Sequence, residues 1–335
     1  MTNPMSLTEF QSIRDYFSKQ GIQRSEVELS IGDDCALLSV PGGKSLAISV
    51  DVLASGVHFP EHTSPEDIGY KSLAVSLSDL AAMGAEPAWV TLAITLPVME
   101  ETWLQGFCRG FFALADRYNV QLVGGDTTHG PLVITTQVGG YVAKNMALRR
   151  SEAQPGDLVF VTGVIGEANI GLKLLQKNLE LPPQYDYLSD KLIERLNRPT
   201  PRVEIGQELL GIATAAIDVS DGLAADLNHI LESSQVGARL DVHKLPVSEC
   251  LPAIFDRIGG WGQPLAAGDD YEILFTAPER AQSTLQEIAK VHNCAITCIG
   301  QIEPEPGLRC YSESTLLELS SMGYEHFKES QNNNT

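Results

Sequence analysis

Apolar residues recur at helical spacing through TSPEDIGYKSLAVSLSDLAAMGAEP (63–87), and the run carries its own boundaries. Ser64 suits the N-cap, Pro65 the first helical position, and Glu66 and Asp67 the first turn. Gly84 suits the C-terminal cap. PAWVTLAITLPV then predicts a buried strand, and residues 101–118 return to helical spacing. Residues 1–20 predict a helix. GGKSLAISVDVLASGVHF (42–59) opens as an alternating strand, and VQLVGGDTTHGPLVITTQVGGYV reads as strand, loop, strand.

The pattern shifts at SEAQPGDLVFVTGVIGEANIGL (151–172), which predicts a linker, a strand, a glycine turn and a helix. Residues 180–202, rich in Pro, Tyr and charge, read as a connecting excursion; alternating strands and helices resume from 213 to about 300. The expected fold is α/β with mixed α+β sheets. It divides into an N-terminal domain over 1–150, a C-terminal domain over 151–330 and a frayed tail over 331–335. No short-period repeat is visible.

Composition narrows the function. With 43% hydrophobic content, 335 residues can bury two cores. The chain has 43 acidic against 23 basic residues, a formal charge of -20, which excludes a general nucleic-acid binder and admits an anionic substrate only if cations intervene. No apolar run reaches the roughly 20 residues of a membrane span. MTNPMSLTEF lacks the features of a secretion signal, so the expected setting is cytoplasmic. The six cysteines form no disulfide framework, and the CxxxC spacing of Cys294 and Cys298 matches no usual zinc or redox motif.

Aspartates gather at the ends of apolar strands and in glycine loops: Asp33 and Asp34 in SIGDDCALL, Asp51 in AISVDVL, Asp126 in VGGDTT, Asp218 and Asp221 in AIDVSDG, and Asp269 and Asp270 in AAGDDYEILF. Taken singly, each is an ordinary turn or cap residue. Asp79 differs, because an acid among the apolar positions of a helix needs a partner or a cation. Taken together, acids at strand ends of an α/β sheet tend to converge on one crevice. Two like charges 4 Å apart cost about 4 kcal/mol at an effective dielectric near 20, so such a cluster calls for divalent cations or raised pKa values. Hard carboxylates suit Mg²⁺ bridging to phosphates, and the neighbouring Gly32, Gly124, Gly125, Gly222 and Gly268 would let backbone N–H groups approach them. At 218–221 the two acids would face phosphate through metal, beside the N–H groups of a helix start. No Walker loop or protein-kinase signature is present; GVIGEANIG (163–171) is a strand-to-helix turn with some potential for phosphate contact.

IGDDCALL, SVDVLASGVHF, SLSDLAAMGAEP, LVGGDTTHG, GDLVFVTG, DVSDGLAADLNHI, GDDYEILFT and MGYEHF run in order from about residue 31 to 327. Together they resemble the thiamine-monophosphate kinases, ATP-dependent enzymes of the fold family shared with aminoimidazole ribonucleotide synthetase. The resemblance implies two α/β domains, a homodimer whose N-terminal domains pair, and nucleotide in a cleft. The implied reaction moves the ATP γ-phosphate directly to thiamine monophosphate, giving thiamine diphosphate and ADP with no phosphoenzyme; the acceptor is already an anionic oxygen and needs no strong base. It implies Mg²⁺ ligands at Asp33, Asp51, Asp79, Asp126, Asp218 and Asp221, with Ser49 and Val50 adding hydroxyl or carbonyl oxygens. It implies ATP contacts at Gly125, Asp126, Arg150 and Ser220, and acceptor contacts at His58, Asp269 and Tyr324. Asp218, Asp221 and Arg150 carry catalysis on this reading. Three positions depart from the family pattern: Val50 where Thr is frequent, Asp269 where Glu is usual, and Tyr324 where Trp is frequent.

Other readings stay open at this stage. A different ATP-using synthetase of the same superfamily would share the N-terminal motifs. A non-enzymatic, acidic cation-binding protein would leave the glycine loops unexplained. HFPEH (58–62) matches the zinc-peptidase pattern H-x-x-E-H, but Pro60 conflicts with the helix that this pattern needs.

Overall fold

The computed structural model of the chain describes residues 13–18, 20–319 and 321–324. Of the helix expected over 1–20, only Ile13–Phe17 falls among them, as a π-helical turn; the tail at 331–335 lies outside the described residues. The chain divides into two compact units, Met1–Arg149 with Asn197–Ala216, and Arg150–Leu196 with Ile217–Thr335. Residues 197–216 therefore belong to the first unit although they follow part of the second in sequence.

The first unit begins with a two-stranded sheet, β1 (Val27–Leu29) and β2 (Leu37–Leu38). Its main sheet has four strands, β3 (Lys44–Ala54), β4 (Glu86–Leu96), β5 (Gln121–His129) and β6 (Val133–Ala143), in the order β3-β6-β4-β5. Only the β4–β5 pair is parallel; the other two pairs are antiparallel. Two helices, α1 (Pro65–Ala82) and α2 (Glu101–Arg117), pack against each other. The predicted boundaries of α1 hold: the Ser64 hydroxyl accepts the Asp67 N–H, Pro65 starts the helix, and Gly84 follows it at φ 66°. A Cβ at Gly69 would lie 2.1 Å from the Phe107 carbonyl oxygen, and one at Gly110 would lie 1.8 Å from that of Glu66, so the α1 and α2 backbones touch where only glycine fits.

The strand, loop, strand reading holds, with GGDTT inside the first strand and the connection at 130–132. A Cβ at Gly125 would come within 1.9 Å of the Leu92 oxygen, so glycine is what lets β5 press against β4. Val123 is an extra residue in this pairing: Val90 is level with Leu122 and Thr91 with Gly124. One face of the sheet meets α1; on the other, Val27, Ala36 and Leu38 pack over Ala88, Trp89, Val123 and Tyr141. Leu46, Ile48, Val50 and Val52 stay exposed along β3, with Ile48, Val50 and Val52 more than half accessible.

The second unit is built on a seven-stranded mixed sheet. In chain order its strands are β7 (Leu158–Thr162), β8 (Ala215–Asp218, which begins in the first unit), β9 (Gly237–Asp241), β10 (Ile273–Ala277), β11 (Ile296–Glu303), β12 (Gly307–Ser312) and β13 (Thr315–Leu316). Their spatial order is β13-β12-β9-β11-β7-β10-β8. Helix α3 (Glu167–Leu175) follows β7, and α4 (Leu223–Ser234) follows β8. Residues 180–202 do connect, since the chain passes to the first unit at Asn197, but they are also packed: Leu181, Leu188 and Leu192 are buried with Ile170, Leu251 and Ile254 in one cluster, and Ser189–Asn197 is helical. No helix among the described residues is long and apolar enough to cross a membrane. All six cysteines are free.

Candidate functional site

In the first unit, alternation along β3 turns Ser49 and Asp51 toward α1 and leaves Ile48, Val50 and Val52 on the opposite face. The Ser49 hydroxyl donates a short hydrogen bond to the Asp79 carboxylate. The Ser76 hydroxyl donates to Asp51 Oδ2 at 2.7 Å and lies 2.7 Å from the Thr136 hydroxyl. Burial, reinforced by the negative charge of Asp79, pushes the Asp51 carboxyl up to about 6. Two half-buried acids, each with a hydroxyl of its own, offer hard oxygens of the kind that suit a divalent cation. His58 lies in the turn after β3, where its Nδ1 accepts the Ala54 N–H at 3.0 Å. The buried Lys71 ammonium donates to the His58 carbonyl at 3.1 Å. HFPEH is non-helical, so the zinc-peptidase geometry is absent.

Asp126 and Gly125 occupy the other edge of the sheet. Asp51 is level with Thr136, Thr136 with Leu92, and Leu92 with Gly125, three strand spacings or about 14 Å across. One Mg²⁺ binds its ligands at about 2 Å and cannot span that gap. Beside Gly125 and Asp126 a small hollow is floored by Phe17, Ile31, Leu92, Ile94 and Leu122. Asp33, exposed, is two residues from Ile31 on the same segment, and its carboxylate accepts the Asp34 N–H. The acids of this unit thus form two groups at opposite edges. Convergence at strand ends is a property of parallel sheets, whereas this sheet is mostly antiparallel. Among the described residues no three His, Cys, Asp or Glu side chains gather as a ready metal site.

The second unit brings its candidates together. The Val219 N–H donates to the Glu272 carbonyl, the Tyr271 N–H to that of Val219, and the Asp269 N–H to that of Ser220, at 2.8, 2.8 and 2.9 Å. The 218–221 turn and the GDDYE turn therefore fix each other through the main chain. Asp218 is 4% exposed at the end of β8; Ser220, Asp221 and Asp269 are half-buried. The Tyr324 N–H donates to the Asp221 carbonyl at 2.9 Å, and the Tyr324 side chain, 51% exposed, lines a hollow of about 420 Å³ with Asp221, Asn228, His229 and Glu232. Asp269 and Tyr271 have positive φ, 70° and 50°, and the Tyr271 hydroxyl donates to Asp269 Oδ1 at 3.2 Å. This strained pair is held from below: buried Asp270 accepts the Gly166 N–H at 2.8 Å, and buried Glu272 accepts the Thr162 hydroxyl at 2.7 Å and the Arg195 guanidinium at 2.6 Å. Burial drives the Asp270 carboxyl well above the usual carboxylate range. Arg150 is exposed, and its carbonyl accepts the Ser234 hydroxyl.

Two expectations about phosphate change here. The Gly166 N–H in GVIGEANIG already serves Asp270. The N–H groups of Ser220, Asp221 and Gly222 all serve Asp226 Oδ2, at 3.0, 3.1 and 3.1 Å. A nucleotide contact by Ser220 therefore rests on its hydroxyl. Asp226 escaped attention in the sequence, although an acid in the first turn of a helix was the available signal.

Comparison with known proteins supplies the kinship. Residues 32–142 match the N-terminal domain, and residues 154–313 the C-terminal domain, of the AIR synthase related proteins. The thiamine-monophosphate kinase of Salmonella typhimurium is 45% identical over 324 residues, 96% of this chain and 99% of the relative. The crystal structure of thiamine-monophosphate kinase from Stenotrophomonas maltophilia K279a is similar at a TM-score of 0.81 and 45% identity, covering 88% of this chain and 93% of that one. AaThiL complexed with AMPPCP and TMP is similar at 0.74 and 31% identity, covering 89% and 92%. This chain belongs to the AIR synthase related family and, within it, to the thiamine-monophosphate kinases.

Proposed function

We propose that this chain transfers the γ-phosphate of ATP to thiamine monophosphate, giving thiamine diphosphate and ADP, in the cytoplasm and with Mg²⁺. The observation that carries the reading is the attachment of Asp269 and Tyr324 to the 218–221 turn by main-chain hydrogen bonds. Asp269 and Tyr324, assigned to the acceptor, thus share one frame with Asp218 and Asp221, assigned to metal.

Asp33, Ser49, the Val50 carbonyl, Asp51, Asp79, Asp126, Asp218 and Asp221 are the oxygens that would hold Mg²⁺. When bound, the ion supplies neutralisation of phosphate charge, which the net charge of -20 makes necessary. The protein's own task is positioning. The Tyr324 ring offers a face to the cationic ring of the acceptor, and Asp269 and His58 orient its polar groups. Gly125 and Asp126 meet the nucleotide beside the apolar hollow, which suits a flat base, and the exposed Arg150 and the Ser220 hydroxyl meet its phosphates. Since the acceptor oxygen is already ionised, no side chain has to remove a proton, and transfer is direct.

The exposed row Leu46, Ile48, Val50 and Val52 supports a homodimer paired through the N-terminal units. The test is product formation: ATP, Mg²⁺ and thiamine monophosphate should yield ADP and thiamine diphosphate in equal amounts. ADP release indifferent to thiamine monophosphate would remove the acceptor assignment and favour another ATP-using member of the superfamily.

A further inference from the structure

Three consecutive N–H groups pointing at one spot make a nest, a concavity that ordinarily takes an anion. In the second unit the nest of Ser220, Asp221 and Gly222 lies where α4 begins, and a carboxyl group of the chain itself fills it; burial and then the charge of Asp221 push that group up to about 7. Asp226, four residues on and 2% exposed, turns back and places Oδ2 within 3.0 to 3.1 Å of all three nitrogens. Gly222 makes the turn possible: its φ is 131°, and a Cβ there would lie 2.8 Å from the Ala266 carbonyl carbon.

We propose that Asp226 is the positioning residue of the acidic turn. Its buried carboxyl group fills the nest from the inside, fixes the backbone of the turn that carries Asp221, and denies phosphate direct access to these N–H groups. An anionic phosphate reaches this turn only in company with a divalent cation. That last clause rests on the phosphate-transfer reading above; the positional role does not. Asp226 touches neither substrate nor metal in this scheme and acts through the turn. A helix start that would otherwise attract bare anions becomes a surface that presents carboxylates.

The test compares the full-length protein with Asp226→Ala and its near-isostere Asp226→Asn, whose Oδ1 can accept the same three hydrogen bonds. In metal-free protein, amide hydrogen exchange at residues 220–222 is slow in the natural chain, at least about tenfold faster in the Ala variant, and largely restored in the Asn variant. Mn²⁺ binding without nucleotide, followed by the loss of the free-ion resonance signal, weakens about tenfold in the Ala variant and recovers to within a few-fold with Asn. Inorganic phosphate without metal binds the Ala variant, whose nest is empty, and not the natural chain. Equal exchange in the natural chain and the Ala variant overturns the proposal, as does an Asn variant as impaired as Ala. Should Asp226→Ala fail to fold, Asp226→Asn and the natural chain still decide: metal-free phosphate binding by the natural chain refutes the exclusion. Absence of thiamine diphosphate synthesis, with the exchange results as expected, would overturn the kinase reading and leave the role of Asp226 in place.

Discussion

Replacing Asp51 by Asn should stabilise the metal-free protein while disabling it. Asp51 is pushed from 3.8 to about 6, first by burial and then by Asp79. A shift of about two units at 1.36 kcal/mol each makes the ionised folded state about 3 kcal/mol worse. The strand edge is half-open to water, so roughly half of that, about 1.5 kcal/mol, is the realistic figure. Asn keeps an oxygen for the Ser76 hydroxyl and removes the charge. In a unit of about 170 residues, this corresponds to a melting temperature about 3–6 °C higher. The sign follows from the raised folded pKa: the penalty exists only while Asp51 is ionised. The gain is therefore full at about pH 8, roughly halved at about pH 5 and gone below about pH 4. Calorimetry with chelator at those pH values reads it directly. Added Mg²⁺ should raise the melting temperature of the natural protein more than that of the variant. A variant that melts lower at pH 8, or a gain that ignores pH, would refute the argument from burial and the nearby Asp79 charge.

Asp218→Asn should lower turnover at least about a hundredfold with the melting temperature little changed, checked by steady-state kinetics beside calorimetry. Tyr324→Ala should raise KM for thiamine monophosphate about tenfold and leave KM for ATP nearly constant; equal effects on both would move the ring out of the acceptor pocket. Ile48→Asp, in the exposed row of β3, should convert a dimer to monomers in sedimentation experiments, since a charge there cannot be buried between copies. Gly110→Ala should destabilise by about 1–3 kcal/mol in denaturant titrations, because α1 and α2 must separate to admit the methyl group.

The extent of α1 was legible because its signals agree: Ser64, Pro65 and Gly84 each have one natural place in a helix. Asp79 was legible for a similar reason, as the one acid in an apolar run, and Ser49 is its partner. GGDTT lies in a strand although Gly-Gly-Asp is turn chemistry. What placed it in a strand is the close approach of Gly125 to Leu92, a contact no local pattern records. In 180–202 the prolines and charges marked the connection but hid Leu188 and Leu192, which settle into the core. Within the first unit the acids stand apart, because convergence at strand ends belongs to parallel strands and this sheet is mostly antiparallel. Motif order located the residues but not their edges, and strand order placed Asp51 and Asp126 three strands apart. Asp226 was missed because its role exists only once the chain has turned back on itself.

The extra residue at Val123 has a consequence for heredity. Beyond it, β5 alternates so that Asp126 and Thr128 share one face and the buried Thr127 takes the other. Losing or gaining a single residue between Gln121 and Gly124 would exchange those faces, turning the carboxylate into the core and the threonine out. Changes of length in this segment can survive only two at a time, or when paired with a compensating shift next door. Lineages that keep the chemistry of Asp126 are thereby committed to the parity of this strand, whatever happens to the identity of its residues.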